Sequence, residues 1–511
     1  MLENRSIEKL SKALLFGSFI LLLCYAVFLQ FLAPTLYGVD GYYHIGVTNF
    51  IKQFGFNYSF RWCQFSTFGY SFSDKDLLLH IFTLPFCWLS GDLIFAAKCA
   101  VILLDLLFLL TITLILKKYL PNFLIPPFLI TIFLSPTFSV YFLYLRPATL
   151  ASILTILGIY FLIKKQHFIV FFISSLYTLT HISFPMMAVF ALICEFIRYE
   201  YKKEFFLKNV VFVILGIILG TLIHPNFPYN LLSFYLNGIL VPFYSFSGKD
   251  IDFGRELYSI TTKDAFLQNF MVFFTLGLIF WSALISRVKV SFATLVFLGC
   301  SSIYFALSFF SNRFWYLLNP LVVILAASFL RDWWETKKDI ETIKRRIRFF
   351  LVVWAGISMG AGFYCFDSLL NTVNANISQN THYENAAKWM KDNVPGGETI
   401  YHAYWSDSPY FICFNPKNNY LVALDPIYMY YFSPKTYEIY RDLKNGLIKE
   451  EAYSYLKYTF GVTYGYTRKS AGFYTTIKGD NRFKIIYEDE YGVVFKLVSE
   501  KKGRVPPVAA D

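Results

Sequence analysis

Apolar stretches close to 20 residues long recur through residues 13–364, and they constrain the fold of this chain more than any other feature. A transmembrane helix needs about 20 predominantly apolar residues, and the first such stretch runs from Ala13 to Ala33. Of the 511 residues, 56% are hydrophobic and only 16% are charged, which is too little polar surface to cover a soluble protein. Because lipid satisfies no backbone hydrogen bonds, the sequence predicts a polytopic α-helical membrane protein.

Lysine and arginine residues predict the orientation of these helices. Basic residues collect in cytoplasmic loops, and the pairs Lys117–Lys118, Lys164–Lys165 and Lys202–Lys203 alternate with apolar stretches. The pattern predicts about 11 transmembrane helices in the inner or plasma membrane, with a cytoplasmic N-terminus and long outer loops at 34–91 and 224–268. The lysine and arginine residues behind the formal charge of +12 fall mostly in the predicted cytoplasmic loops, so this charge is not evidence for a nucleic-acid partner.

The composition changes after residue 366. We expect a transmembrane domain over residues 1–366, an extracytoplasmic α/β domain over 367–500, and a disordered tail over 501–511. Within the second domain, Ala386–Met390 has the pattern of an amphipathic helix. Strands are predicted at Thr399–Tyr401 and Tyr420–Leu424, followed by a hairpin of Phe483–Tyr487 with Val493–Leu497.

A polar stretch, Val39-Asp40-Gly41-Tyr42-Tyr43-His44, directly follows the first apolar run. Asp40 is therefore expected at the mouth of a membrane helix, and Tyr43–Phe54 is expected to form a short interfacial helix. The alternative is a solvated aspartate within a belt of tyrosines, because aromatic residues collect at both membrane interfaces.

Other titratable side chains also fall at the predicted outer ends of the spans. Ionisable groups near a membrane are costly, so they tend to face a cavity and to mark function. Together they predict an outward-facing polar cleft. The residues are Asp74, Lys75, Asp76, His80, Arg146, His181, His224, Asp250, Asp252, Arg313 and Tyr316.

Such a cleft suits the transfer of a group from a lipid-linked phosphate. Arginine binds a leaving phosphate as a bidentate fork, and a desolvated aspartate can take a proton from the incoming hydroxyl. Alternatively, paired carboxylates hold a divalent ion such as Mg or Mn. Asp40 can take either role, with Asp76 as the second carboxylate of a metal site. The candidate donor-phosphate ligands are Arg146, Arg313, Lys75, His224 and Tyr316, and the candidates around them are His44, Tyr43, Asp76 and His181.

Two stretches carry a family resemblance. The run from Asp40 to His44 resembles the acidic loop of GT-C-fold glycosyltransferases, a group that includes the oligosaccharyltransferase catalytic subunit, protein O-mannosyltransferases and the lipid A aminoarabinose transferase. Lys75–Leu79 through Leu93–Lys98 resembles the segment before the second span of the aminoarabinose transferases, with Asp76 where proline is usual and Lys98 where arginine is usual.

This resemblance implies a GT-C-like membrane glycosyltransferase. It implies a sugar donor linked to polyprenyl phosphate or diphosphate, transfer outside the membrane, and inversion at the anomeric carbon. The acceptor would be a glycan, a lipid or a protein.

Two other classes of protein are compatible with the sequence. One is a transporter or flippase of lipid-linked or small solutes. Its support is Lys98 and Asp105, which share one helix and can also be explained as internal charge compensation. Against it, the charged residues cluster at outer ends, and we see no paired broken helices in two halves. The other class is a non-catalytic membrane assembly protein that displays the outer domain.

Overall fold

The computed structural model describes residues 2–56, 59–336 and 340–498. The predicted tail at 501–511 lies outside these ranges. Contacts divide the chain into two compact units, one comprising residues 1–56 and 73–377 and the other 57–72 and 378–511. The sequence-based boundary at 366 falls within the first unit, and part of the predicted outer loop 34–91 belongs to the second.

The first unit is helical. Its helices, in chain order, are α1 (Leu2–Leu32), α2 (Asp40–Phe54), α4 (Leu77–Leu89), α5 (Leu93–Leu116), α6 (Ile125–Phe133), α7 (Pro136–Phe142), α8 (Pro147–Ile163), α9 (His167–Thr178), α10 (Met186–Lys202), α11 (Leu207–Leu222), α12 (Tyr229–Phe234), α13 (Val241–Ser247), α14 (Thr262–Gln268), α15 (Phe270–Ser286), α16 (Phe292–Ser308), α17 (Arg313–Thr336) and the first part of α18 (Ile340–Asn393); α3 (Phe68–Ser71) belongs to the second unit.

Several of these helices are long and apolar enough to cross a membrane. Among the described residues, 4 qualify by length and composition, and up to 6 do if each of two bent helix pairs counts as one span. The 4 are Glu8–Leu32, Leu93–Leu116, Arg313–Thr336 and Phe349–Asn393. Shorter apolar helices, including α4, α8, α9, α11 and α16, lie between them. A membrane protein is therefore supported, while the count of about 11 spans stays a prediction.

No paired broken helices were expected from the sequence, but the structure contains two bent helix pairs, and they meet at their breaks. α6 and α7 bend by 87°, and α14 and α15 bend by 82°. Ser135, at the first break, hydrogen-bonds the carbonyl oxygen of Gln268 at 3.0 Å and the amide oxygen of Asn269 at 3.1 Å, which lie at the second. Broken helices need such partners because their freed backbone groups have no water to bind inside a bilayer.

The second unit contains a five-stranded mixed sheet. Its strands are β1 (Thr399–His402), β2 (Asn419–Tyr420), β3 (Val462–Arg468), β4 (Phe483–Glu488) and β5 (Gly492–Leu497), in the order β2-β1-β3-β5-β4. β1 is parallel to β2 and β3, whereas β5 is antiparallel to β3 and β4. The helices of this unit are α3, the end of α18, α19 (Ser408–Phe414), α20 (Ile427–Phe432), α21 (Pro434–Lys444), α22 (Ala452–Ser454) and α23 (Gly472–Gly479).

The β1 strand and the closing hairpin agree with the sequence predictions, and three details differ. Of the predicted strand Tyr420–Leu424, only Tyr420 lies in the sheet, as part of β2 (Asn419–Tyr420), and β3 was not predicted. The helix at Ala386–Met390 is not separate, because α18 continues without a break from Ile340 to Asn393.

Candidate functional site

A short connection places Asp40 at the start of α2. Tyr37 donates its hydroxyl to the Leu29 carbonyl at 2.7 Å, which ties the connection back to α1. Gly38 has a φ of +70°, a conformation that favours glycine, and its N–H donates to the Asn376 side chain at 3.0 Å. Asp40 is the first residue of α2, where the helix dipole favours a negative charge.

Asp40 begins a chain of four alternating charges. Its carboxylate pairs with Arg146 at 2.5 Å, and Arg146 pairs with Glu256 at 2.5 Å through its other terminal nitrogen. The second oxygen of Glu256 accepts from Arg313, from Nε at 2.8 Å and also from Nη2. The side chains of Asp40 and Arg313 are 27% and 39% exposed, so both ends of the chain are accessible, while the middle is more enclosed. The arrangement brings together residues from four separate parts of the sequence.

Tyrosine rings enclose Arg146. Its guanidinium carbon lies 5.3 Å from the ring centre of Tyr141 and 5.2 Å from that of Tyr144, which is within the range of cation–π attraction. The Tyr141 hydroxyl donates to Glu256 at 3.0 Å. The Nε of Arg146 is buried and has no hydrogen-bond partner among the described residues, so one of its donors is unused.

Mutual pairing keeps these groups ionised. Burial would raise the pKa of Glu256, but Arg146 and Arg313 outweigh it and hold that pKa well below its ordinary value. Burial would lower the pKa of Arg146, yet Asp40 and Glu256 raise it well above its usual range. Both groups are therefore charged at neutral pH.

A second hydrogen-bonded chain, Asp74–His80–His44, reaches α2 one turn beyond Asp40. The Asp74 carboxylate lies 2.6 Å from His80 Nδ1, and His80 Nε2 lies 2.9 Å from His44 Nδ1. The ring of Tyr43 meets both imidazoles edge-on, at centroid distances of 5.5 Å and 6.3 Å. All four side chains are buried.

The electrostatic environment of this second chain favours a neutral His44. Burial, with the nearby His80, Lys75 and Arg146, lowers the pKa of His44 well below its usual value. Burial opposes ionisation of Asp74, but His80 outweighs it and lowers the pKa of that carboxyl. The hydrogen-bonded chain Asp74–His80–His44 therefore contains a neutral His44 at one end and an ionised Asp74 at the other.

Lys75, His181 and His224 line a small cavity beside this chain. Lys75 pairs with Asp76 at 2.8 Å, and His224 Nε2 donates to the Asp74 carbonyl at 2.9 Å. Burial, reinforced by the charges of Lys75 and Arg313, lowers the pKa of His181 to about 3. The cavity measures about 20 Å³, which is room for a water molecule and not for a substrate.

The structure thus groups most of the residues that the sequence predicted. Asp40, Arg146 and Arg313 belong to one charge chain, His44 and His181 are electrostatically coupled to it, and Lys75 acts on both histidines. His224 braces the loop that carries Asp74.

Three predicted positions lie differently. The Tyr316 side chain is buried, its hydroxyl lies 2.9 Å from that of Thr149, and its ring stacks on Phe138, which is a packing environment. Asp250 and Asp252 are exposed residues of the loop between α13 and α14, outside the charge chain.

Sequence reasoning missed Glu256. It lies in the long loop between α13 and α14, in no recognisable motif. The available signal was electrostatic, because two arginines that lie close together at helix starts require a second carboxylate besides Asp40.

The described residues do not present a ready metal centre. They contain no group of three or more His, Cys, Asp or Glu side chains placed to hold an ion. The predicted ligands Asp40 and Asp76 are each paired with a cation, Arg146 and Lys75 respectively. As arranged, these residues do not fit a divalent ion.

Comparisons with known proteins identify the fold. No protein-family model matches the sequence, and no curated protein matches it. Among solved structures, the oligosaccharyltransferase AglB from Archaeoglobus fulgidus superposes with a TM-score of 0.63 at 12% identity, covering 89% of this chain and 69% of that one. A second AglB structure, with an inhibitory peptide and a dolichol-phosphate, gives a TM-score of 0.61.

ArnT from Cupriavidus metallidurans is a further structural neighbour. The form bound to undecaprenyl phosphate superposes with a TM-score of 0.59 at 12% identity, covering 95% of this chain and 98% of that one. AglB and ArnT are both glycosyltransferases of the GT-C fold. At 12% identity the likeness concerns the fold, and it extends over most of the chain.

Proposed function

We propose that this chain, which has the fold of the GT-C membrane glycosyltransferases, transfers a sugar from a polyprenyl-phosphate-linked donor to an acceptor on the extracytoplasmic side of the membrane. The observation that carries the proposal is the charge chain Asp40–Arg146–Glu256–Arg313. It supplies both chemical requirements of the reaction, a partly exposed carboxylate and two arginines within reach of one anion. The structural neighbours AglB and ArnT, solved with dolichol-phosphate and undecaprenyl phosphate, support this class of donor.

In the proposed step, the two arginines of the charge chain bind the donor, and Asp40 acts on the acceptor. Arg146 and Arg313, with Lys75 near them, bind the phosphate of the donor, because guanidinium groups hold phosphate oxygens in a bidentate fork. The unused Nε donor of Arg146 is available to one of these oxygens. As the bond between the anomeric carbon and the phosphate oxygen breaks, the arginines stabilise the negative charge left on polyprenyl phosphate.

Asp40 is proposed to act on the acceptor. As a general base it takes the proton of the attacking acceptor group while the new bond forms at the anomeric carbon. Attack from the side opposite the phosphate gives inversion. Binding of phosphate by Arg146 weakens the pair between Arg146 and Asp40, which frees a carboxylate oxygen of Asp40 to accept the proton.

The alternative role of Asp40 is that of a metal ligand, with Asp76. The arrangement of the described residues does not fit a divalent ion, so we derive no step through one. The two roles differ in one measurable property: a base acts in the presence of a chelator, and a metal ligand does not.

The test is sugar release from a mixed, radiolabelled polyprenyl-phosphate donor pool by purified wild type and Asp40→Asn. We expect turnover to fall at least about 100-fold in Asp40→Asn, the usual contribution of a general base. Asp392→Asn, at an exposed position near the end of α18, is the matched control and should retain activity. Equal turnover in wild type and Asp40→Asn would exclude Asp40 from the reaction. Parallel reactions with EDTA distinguish the base from the metal ligand.

A further inference from the structure

We infer that Glu256 is the resident anion of the donor-phosphate site, and that the donor phosphate binds by displacing the Glu256 carboxylate from Arg146 and Arg313. The inference rests on the proposed function and extends it, because it makes donor binding an exchange of one anion for another. It assigns a role to a residue that no sequence motif indicated.

The contacts of Glu256 are those of a bound anion. One carboxylate oxygen accepts from Arg146 Nη1 at 2.5 Å and from the Tyr141 hydroxyl at 3.0 Å. The other accepts from Arg313 Nε at 2.8 Å and from Arg313 Nη2. Four donors from three side chains thus converge on one carboxylate. The same donors suit the phosphate of the donor, a diester that, like the carboxylate, carries one negative charge and presents two unesterified oxygens.

The backbone around Glu256 forms a short turn in a loop and not part of a regular helix. Glu256 lies in a single 3-10 turn, Arg255–Leu257, within the long loop between α13 and α14. Ser311 Oγ donates to the Glu256 carbonyl at 2.9 Å, Asn312 N–H donates to the Tyr258 carbonyl at 3.2 Å, and Ser245 Oγ donates to the Leu257 carbonyl at 3.4 Å. Arg146 and Arg313, by contrast, begin the regular helices α8 and α17. When the anions exchange, the turn is therefore the part that moves.

Arg146 is largely enclosed and lies close to Arg313, so leaving this pair of cations without Glu256 would be costly. Glu256 removes this cost while the donor is absent. The same carboxylate competes with phosphate, so the apparent affinity for the donor is reduced by the fraction of molecules in which Glu256 occupies the site. Return of Glu256 after transfer would also help to expel polyprenyl phosphate. Glu256 is thus a positioning residue with opposite effects on donor affinity and product release.

The first experiment measures binding of undecaprenyl phosphate, inorganic phosphate and pyrophosphate to detergent-solubilised wild type, Glu256→Gln and Glu335→Gln. Glu335 pairs with Arg331 on the exposed face of α17, so its substitution removes the same charge away from the site. We expect Glu256→Gln to bind undecaprenyl phosphate about tenfold more tightly than wild type, a difference of about 1.4 kcal/mol. Glu335→Gln should bind as wild type does. Tighter binding of the inorganic ions as well would show that the phosphoryl group alone is recognised.

Turnover measurements give a second test. If Glu256 only stabilised the fold, its substitution would not lower KM and kcat together. Glu256→Gln should lower both KM for the donor and kcat, because donor binding tightens and product release slows. Glu256→Asp keeps the charge on a shorter side chain, and its affinity should fall between those of wild type and Glu256→Gln. If Glu256→Gln does not fold, Glu256→Asp still tests the order of affinities.

Wild-type protein provides an independent test by hydrogen exchange. Undecaprenyl phosphate should speed amide exchange at Leu257 and Tyr258, whose N–H groups close the turn in the free protein. Unchanged or slower exchange there, or equal affinities of wild type and Glu256→Gln, would overturn the inference. If phosphate binding persists and is lost in Arg146→Gln, the proposed donor site survives that failure. If wild type binds none of the three phosphates, the donor site and the inference fail together.

Discussion

At the scale of single residues, His181 makes the stability of the folded state depend on pH. Its pKa is lowered to about 3 by burial and by the neighbouring charges of Lys75 and Arg313. The unfolded chain has the ordinary histidine value of 6.5. Below pH 6.5 the unfolded state therefore binds a proton that the folded state excludes, and stability falls as the pH drops from 6.5 towards 3. His44 and His224, whose pKa values are also lowered by burial, add to the same trend.

We predict that His181→Asn flattens this dependence. Asparagine cannot be protonated, so the slope of stability against pH between 6.5 and 5 should decrease by about one bound proton. The measurement is the unfolding temperature in detergent at several pH values. Lys75→Met should act in the same direction, because removing the charge raises the pKa of His181. Parallel curves for wild type and His181→Asn would show that His181 titrates normally.

The residues of the candidate site differ in how far the sequence predicts them. Asp40, Arg146 and Arg313 could be recognised because each is a charge at the end of an apolar run, where ionisable groups are costly. Glu256 could not, because it belongs to a polar loop, in which a carboxylate is unremarkable until its partners are known. Tyr316 has the same flanking sequence signal as Arg313, yet it lies about one turn further into α17, where its ring is buried against Phe138.

At the scale of elements, a buried ion pair joins the ends of three helices. Glu195 of α10 accepts from Arg198 at 3.0 Å, from the Asn209 side chain of α11 at 2.8 Å, and from the Phe206 N–H at 2.8 Å. Arg198 also donates to the Leu162 carbonyl of α8 at 3.0 Å. Glu195 and Arg198 are almost fully buried. Breaking such a pair leaves one charge without a partner in a low dielectric.

We predict that Glu195→Ala destabilises the protein by about 3–5 kcal/mol, the usual cost of leaving a buried charge unpaired. Glu335→Ala removes an exposed partner of Arg331 and should cost at most about 1 kcal/mol. Denaturant unfolding of both variants in one detergent measures the difference. Equal stabilities would mean that water or lipid compensates Arg198.

The elements of the fold were predictable where apolar residues recur with a regular period or where a residue type that ends a helix or strand is present. The β4–β5 hairpin was recognised by its alternation around a turn. The length of α18 was not, because apolar residues give way to polar ones near residue 366 without a proline or a glycine cap to end the helix. A change in composition marks a change in environment, and it does not by itself break a helix. β3 was missed because Gly465 interrupts its apolar pattern.

At the scale of the whole molecule, the basic turns and the charge chain lie at opposite ends of the helical unit. Lys165, after α8, pairs with Glu204, after α10, at 2.7 Å, so both basic turns lie at one end. α8 begins beside Arg146 and runs for 17 residues, about 25 Å of helix, so the charge chain lies at the other end. If the basic turns are cytoplasmic, as the positive-inside rule requires, the charge chain faces the extracytoplasmic side.

We predict that this orientation is detectable with an impermeant maleimide on intact cells. Single cysteines at Asp252 of the outer loop and Lys417 of the second unit should react from outside, and a cysteine at Lys203 should react only after permeabilisation, since all three positions are exposed in the fold. Cys24 is exposed and must be replaced in the background. The inverted pattern would place the charge chain in the cytoplasm, and transfer outside the membrane would then be excluded while the fold and the anion exchange at Glu256 would stand.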